Sequence, residues 1–386
     1  MMGHAVPQMN LLASLHRNAL IARERLSFLR DGQPRLAYTG GHGWGNLGDD
    51  ALFEAAQLLL EGTRLVCFRY ARREERLAWL GLSGRSYFQH FVLGGGTFIN
   101  PYGLRTVRTA LQQGLPAWTL GTGVGSAGFN MCRRPELEEW RAMLRDFQAL
   151  GVRGPHSKAR LEELGISNVE VVGDLALVLA REAPVRPVEP RRFAVNLVLP
   201  PPQEREGFAY ERLEGLEGAI HHFMAREWEP VFVAMHDHDV EALSRLKLAV
   251  GRPEAPTYRP GTAEEFMELV GPCTLMIATR LHAAVLACCA GTPTLSLGYR
   301  EKCLDFMSSL GLETWHVDLT EPDGDIFERA LALAGEADGL RAPILARAQA
   351  RQRGLHDYAW KLLSCAGFAG AVRADYSRCA PPLARY

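Results

Sequence analysis

The sequence predicts an α/β protein made of two domains of the same architecture, each a parallel sheet with helices on both faces. Three observations predict it. Short apolar strands alternate with amphipathic helices along most of the chain. Glycine-rich or polar loops follow the strands, where open α/β sheets bind ligands. The alternation halts at EAPVRPVEPRR, residues 182–192, and then restarts. A linker there divides the chain into residues 1–185, residues 193–345, and a C-terminal helix and tail at 346–386. The length of 386 residues suits two domains of ordinary size, and two such domains face one another across a cleft.

The elements follow in order. Residues 10–30 read as an amphipathic helix on the outside of the first domain. Arg35 to Tyr38 is the first strand. The loop after it holds Gly40, Gly41, Gly43, Gly45 and Gly48. Asp49 and Asp50 then open a helix with Ala51, Leu52, Ala55, Leu58 and Leu59 at helical spacing. Leu65 to Arg69 is a strand and Glu74 to Leu80 helical. Phe91 to Leu93 is a buried strand, and Gly94 to Gly96 a tight turn that brings Thr97 and Asn100 to its end. Thr106 to Gln113 is a helix and Pro116 to Gly121 a strand, with a small-residue loop at 122–128. A helix over Leu137 to Leu150 precedes a strand from Leu150 to Arg153. Ser157 opens a helix to Leu164, and Val169 to Val172 ends at Gly173-Asp174.

The second half repeats the architecture without repeating the sequence. Strands fall at Phe193 to Leu199, Pro230 to Met235, Leu275 to Ala278 and Thr294 to Leu297. Helices fall at Leu213 to Arg226, Val240 to Leu248, Thr262 to Val270, Arg280 to Ala290 and Lys302 to Ser309. PPPQEREG (200–207) is a loop. Two last helices, about 324–335 and 342–364, cover the second domain or cross back to the first.

Composition excludes several functions. A net charge of -1 provides no field for nucleic acid or anionic membrane. Eight cysteines lie scattered, with no CxxC pair and no metal-like spacing to histidine, as in a reduced, cytoplasmic protein. No run of about eighteen apolar residues is present, so no spanning helix is expected, while peripheral contact with a membrane stays compatible. HDHD (236–239) offers two imidazoles on one side of a strand end and no third ligand, so no metal is expected.

Several segments in order resemble the polysaccharide pyruvyl transferase family: GNLGDDA (45–51), LGGGTFIN (93–100), GTGVGS (121–126), VRGPHS (152–157), TRLHA (279–283) and YREK (299–302). The resemblance spans about residues 38–312. It implies two Rossmann-like domains similar to the GT-B glycosyltransferases. It implies transfer of the enolpyruvyl unit of phosphoenolpyruvate to two hydroxyls of a sugar, giving a pyruvate ketal, with no metal or cofactor. The sugar acceptor is expected on a lipid or nucleotide carrier.

Such a donor needs several cations or N–H groups, and arginine suits planar bidentate partners. By resemblance Arg153 holds its carboxylate or phosphate; the alternative is a solvated surface arginine. His282 is either a satisfied core histidine or, by resemblance, a cation or proton donor on the phosphate. Lys302 is a phosphate ligand or an exposed lysine. Arg280 serves the phosphate or pairs with an acid. Asp49 caps its helix or acts as acid or base. Gly95, Gly96 and Thr97 bring backbone donors to the donor, while Asn46, Asn100 and Thr122 face the acceptor. One departure stands out: relatives often carry an acid after the arginine, and here it is Gly154, so that acid's hydrogen bond must be absent or replaced. The rival readings are a nucleotide-sugar glycosyltransferase of the same architecture and a non-catalytic sugar- or phosphate-binding relative.

Overall fold

The computed structural model describes residues 11–126, 132–199, 213–320 and 325–368. The loop at 200–207, the end of the 122–128 loop and the tail beyond 368 lie outside them. The first sheet is built from β1 (Arg35–Thr39), β2 (Arg64–Cys67), β3 (His90–Leu93), β4 (Gly96–Ile99), β5 (Ala117–Val124), β6 (Phe147–Val152) and β7 (Val169–Val171). Its order is β2-β1-β3-β5-β6-β7, with β4 beside the far end of β5, and every pairing is parallel. The helices around it are α1 (Leu11–Ser27), α2 (Leu47–Leu59), α3 (Ala71–Trp79), α4 (Pro101–Gln112), α5 (Arg134–Leu144) and α6 (Pro155–Glu163). Parallel pairing follows from the helical crossovers, and burial on both faces explains strands such as HFVL, in which every residue is buried.

The second sheet has the order β10-β9-β8-β11-β12-β13 and is again parallel. In chain order it runs β8 (Arg192–Asn196), α7 (Leu213–Met224), β9 (Glu229–Val233), α8 (Asp237–Ala249), β10 (Thr257–Tyr258) and α9 (Ala263–Val270). Then come β11 (Leu275–Ala278), α10 (Leu281–Cys289), β12 (Thr294–Gly298), α11 (Glu301–Ser309) and β13 (His316–Asp318). The short edge strands β10 and β13 carry too few apolar residues to be legible from pattern.

Four local expectations change. Gly94 to Gly96 is no closed turn, because the chain re-enters the sheet as β4 on the extended end of β5. The small-residue segment at 122–124 belongs to β5 itself. The expected helix to Leu150 stops at Leu144, and Phe147 already starts β6. The two expected C-terminal helices are one, α12 (Ile326–Cys365), which passes through Pro343. Just before that proline, Arg341 donates to the carbonyls of Val185, Gly271 and Cys273, which holds the helix against the second domain. The far end crosses to the first domain, where Tyr358 Oη donates to Thr119 O at 3.1 Å.

The two halves share an apolar core. One cluster runs from Leu52 and Ala55 of α2 through Leu175 to Leu281 and Ala284 of α10. The outer layer of the first domain, with Phe91, Val107, Trp140 and Leu150, forms a second cluster. The carboxyl ends of both sheets therefore meet over a common floor.

Candidate active site

The cleft between the sheet ends holds a cavity of about 270 Å³. Asn46, Asp49, Gly96, Thr97 and Arg153 come to it from the first domain. Arg280, His282, Tyr299, Arg300 and Lys302 come from the second. Apart from Gly96 and Thr97, which open β4, these groups sit where a parallel strand hands over to a helix, the position at which backbone N–H groups and helix dipoles favour an anion.

Asn46 caps α2: its Oδ1 accepts from Gly48 N at 3.1 Å and its Nδ2 donates to Asp49 Oδ2 at 2.8 Å. Leu47 N donates across the cleft to Met235 O at 3.1 Å. Burial holds the Asp49 carboxyl above its usual range, with Lys302 and the Asn46 hydrogen bond opposing. Asp50 faces outward and accepts from Gly43 N at 2.6 Å. Glycines keep this corner open. A Cβ on Gly41 would stand 2.7 Å from Asp49 Cγ, and one on Gly48 would stand 2.2 Å from His282 Nδ1.

Arg153 lies at the end of β6 and is 1% exposed, so the solvated reading does not hold. Its Nε forms an ion pair with Asp305 Oδ2 at 3.4 Å without hydrogen-bond alignment, and its Nε and Nη1 have no hydrogen-bond partner. A buried cation with unmet donors is costly unless an anion completes it. Gly123 leaves the room it needs: a Cβ there would stand 2.5 Å from Arg153 Nη2.

Asp305 of α11 supplies the carboxylate that Gly154 lacks. It accepts from His156 N at 3.0 Å, Ser157 N at 3.2 Å and Ser157 Oγ at 2.7 Å, and so caps α6 from the opposite domain. A Cβ at position 154 would lie 2.1 Å from its Oδ1 and 2.2 Å from its carbonyl oxygen. The close approach of the two domains here requires glycine.

Arg280 stands just before α10 and its side chain pairs with an acid: its Nε donates to Asp239 Oδ1 and Oδ2 at 2.7 and 2.8 Å. Asp239 also accepts from Met235 N at 2.9 Å and Asn196 Nδ2 at 3.2 Å. Arg280 still lines the cavity, held in a fixed orientation. His282 is largely buried, and its Nε2 has no hydrogen-bond partner, so it is not a satisfied core histidine. Burial, then Lys302, Arg153 and Arg280, push its pKa well down, which keeps the imidazole neutral near pH 7. Burial, then Arg300, brings the Lys302 ammonium down to about 8.

Three expected contacts are not cavity groups. Gly95 is buried against Leu52, whose Cδ2 would lie 2.8 Å from a Cβ there. Asn100 is spent on capping α4, with Oδ1 accepting from Gly103 N at 2.8 Å and Nδ2 donating to Thr97 O at 2.5 Å. Thr122 is fully buried and donates its hydroxyl to Gly94 O. Their loops bend toward the cleft, but the side chains turn back to hold the bend.

A family model of polysaccharide pyruvyl transferases matches residues 46–301, about two thirds of the chain. The chain belongs to the polysaccharide pyruvyl transferase family. Among solved structures it is similar to a putative UDP-N-acetylglucosamine 2-epimerase from Listeria monocytogenes. That match has 11% identity and a TM-score of 0.54, over 86% of this chain and 96% of that one. It is also similar to S. aureus MnaA solved with UDP, at 10% identity and a TM-score of 0.53, over 86% of this chain and 97% of that one. At these identities the likeness is one of fold, the GT-B-like pair of facing Rossmann-like domains.

For this pyruvyl transferase family member, sequence reasoning missed Asp174, Asp239, Asp305 and Arg300. Asp174 is fully buried at the end of β7. Arg300 precedes α11 within YREK and lines the cavity. Asp239 lies in HDHD, where His236 serves instead as a cap: its Nδ1 accepts from His238 N at 3.1 Å. Among the described residues, no group of three or more His, Cys, Asp or Glu could hold a metal, and no helix is long and apolar enough to cross a membrane.

Proposed function

We propose that the cleft binds phosphoenolpyruvate and moves its enolpyruvyl unit onto two hydroxyls of one sugar, forming a pyruvate ketal for a cell-surface polysaccharide. The observation that carries this reading is Arg153, a buried guanidinium with unmet donors in a cavity also lined by Arg280, Arg300 and Lys302. A small ligand with a carboxylate and a phosphate satisfies such a set, and the guanidinium fork suits either group.

The chemistry balances without a cofactor. The donor's methylene carbon takes a proton and a sugar hydroxyl adds at the central carbon, losing its own. The bond to phosphate then breaks, its electron pair leaving with the phosphate, and the second hydroxyl adds and loses its proton. One of the two hydroxyl protons ends on the new methyl group and the other on phosphate. Asp49, with a raised carboxyl pKa, is suited to one proton transfer, and His282 to the transfer at the phosphate. Asn46 and Thr97 are the first-domain groups suited to the acceptor or to orienting the donor. The acceptor's carrier is a lipid or nucleotide and the site of action the cytoplasm.

A thermal-shift titration tests this with phosphoenolpyruvate, inorganic phosphate and UDP-glucose on the wild type and on Arg153→Met. Ligand that binds only the folded state raises the midpoint by mass action, by about 2.7 kcal/mol of stability at a hundred times Kd. The expected result is a saturable shift with phosphoenolpyruvate that the variant loses. A shift with UDP-glucose alone would replace this reading with a glycosyltransferase.

A further inference from the structure

Asp174 is the buried charge for which neither the core nor the donor site yet accounts. It lies just past β7 and caps the 3-10 helix Leu175–Leu179, where its Oδ1 accepts from Ala176 N at 3.0 Å. Its Oδ2 is closed from solvent and has no partner. Opposite it, at 3.9 Å, lies the Nε2 of His282, also closed from solvent and also without a partner. Two unmet polar atoms buried face to face are costly, and each is the complement of the other. At 3.9 Å they make no hydrogen bond, but such bonds in an unliganded site are often long and tighten when the ligand arrives. The Nδ1 edge of the ring lies over Gly48, at the opening of α2.

We propose that Asp174 is the positioning residue for His282: its Oδ2 accepts the Nε2 proton of the imidazole, which leaves Nδ1 as the nitrogen that exchanges a proton with the bound donor. This is the logic of a carboxylate that fixes the tautomer and orientation of a working histidine. The surroundings agree. Asp174 also faces Arg153 from β6, Asp305 from α11 and Asp49 from α2, with Tyr38 and Cys289 beside it. Burial raises its carboxyl to about 6, Arg153 opposing, so it is mostly ionised near pH 7. The His282 imidazole is neutral there and carries one N–H to donate. In the reaction Nδ1, the ring nitrogen without a proton, takes the proton of the second sugar hydroxyl as it adds and passes it to the released phosphate, so the pair ends as it began.

The role in turnover rests on the proposed function; the pairing does not. The test therefore has two readouts. Asp174→Asn keeps the oxygen that caps Ala176 N but replaces Oδ2 with an amide that donates, which favours the wrong tautomer. The ring nitrogens of His282 are followed by NMR in wild type and variant, with inorganic phosphate as ligand. The expected result is Nε2 protonated in the wild type and Nδ1 protonated in the variant. With phosphoenolpyruvate and acceptor, kcat should fall on the order of 100-fold or more, with the donor KM and Tm close to wild type. A wild-type ring protonated at Nδ1, or a variant with unchanged tautomer and kcat, overturns the proposal. If the variant does not fold, the wild-type tautomer decides. If phosphoenolpyruvate gives no turnover but the tautomer switches, the pairing stands and the donor reading fails.

Discussion

Two arginines guard the carboxyl ends of the two sheets, and they are held in opposite ways. Arg280, after β11, is clamped by both oxygens of the buried Asp239. Arg153, at the end of β6, is more deeply buried, yet two of its nitrogens lack a partner. The nearest carboxylate, Asp305, is already engaged by three donors at the start of α6. A buried cation with a dedicated acid is complete without a ligand, and one whose neighbour is spent elsewhere is completed by a ligand. Equal charge and similar location thus mark different duties.

The largest expected effect is on stability and belongs to Arg280. Arg280→Ala strands the carboxylate of Asp239 with only Met235 N and Asn196 Nδ2 to compensate it. Leaving a buried charge without its partner costs about 3 kcal/mol or more. Denaturant unfolding of this variant should show a loss of that order. Arg153→Met should show a much smaller one, because Asp305 keeps its three donors. A stability loss for Arg153→Met as large as for Arg280→Ala would erase the distinction.

The next effect reverses the ranking. Removing the unmet donors of Arg153 should weaken phosphoenolpyruvate binding on the order of 100-fold, since hydrogen bonds to charged groups are worth about 1.5–3 kcal/mol each. Calorimetric titration of Arg153→Met would measure it, and an unchanged Kd would remove Arg153 from the donor site.

Gly154 sharpens the comparison further. A methyl group there would collide with both the carboxylate and the carbonyl of Asp305. Gly154→Ala should therefore push α11 away from α6, at about 1–3 kcal/mol for overpacking. Donor affinity should fall with it, because Lys302 rides on α11. Unaltered stability and affinity would mean that the helices separate without consequence for the site.

These contrasts explain what could be read in the sequence. Strands that end in glycine, threonine or arginine announce themselves locally, so the two sheets and most of the cavity wall, from Asn46 and Asp49 to His282 and Lys302, were legible. Asp305 was not, since nothing in VRGPHS says that the cap of α6 arrives from a residue 148 positions later. Asp239 was visible only as part of HDHD, where two histidines drew attention from the buried acid beside them. Asn100 and Thr122 misled because a polar side chain at a strand end serves equally to bind a ligand or to tie its own loop. The break expected between 335 and 342 does not occur: one helix runs through it and through Pro343, and the contacts of Arg341 hold it there.

The smallest effect is a pH dependence, and it separates the Asp174–His282 pair from the arginines around it. The Asp174 carboxyl is raised from 3.8 to about 6, so the folded protein holds that proton more tightly than the unfolded chain. Its stabilising contribution is complete below pH 3.8 and is lost as pH rises to about 6. His282 is depressed from 6.5, so its contribution is present above that value and is lost as pH falls below it. The two slopes oppose one another in the wild type. Asp174→Asn removes the first slope and leaves that of His282, so its unfolding free energy relative to wild type should decline steadily as pH is lowered from about 6 toward 4. A constant difference across that window, measured by denaturant unfolding at several pH values, would show that Asp174 does not titrate with folding.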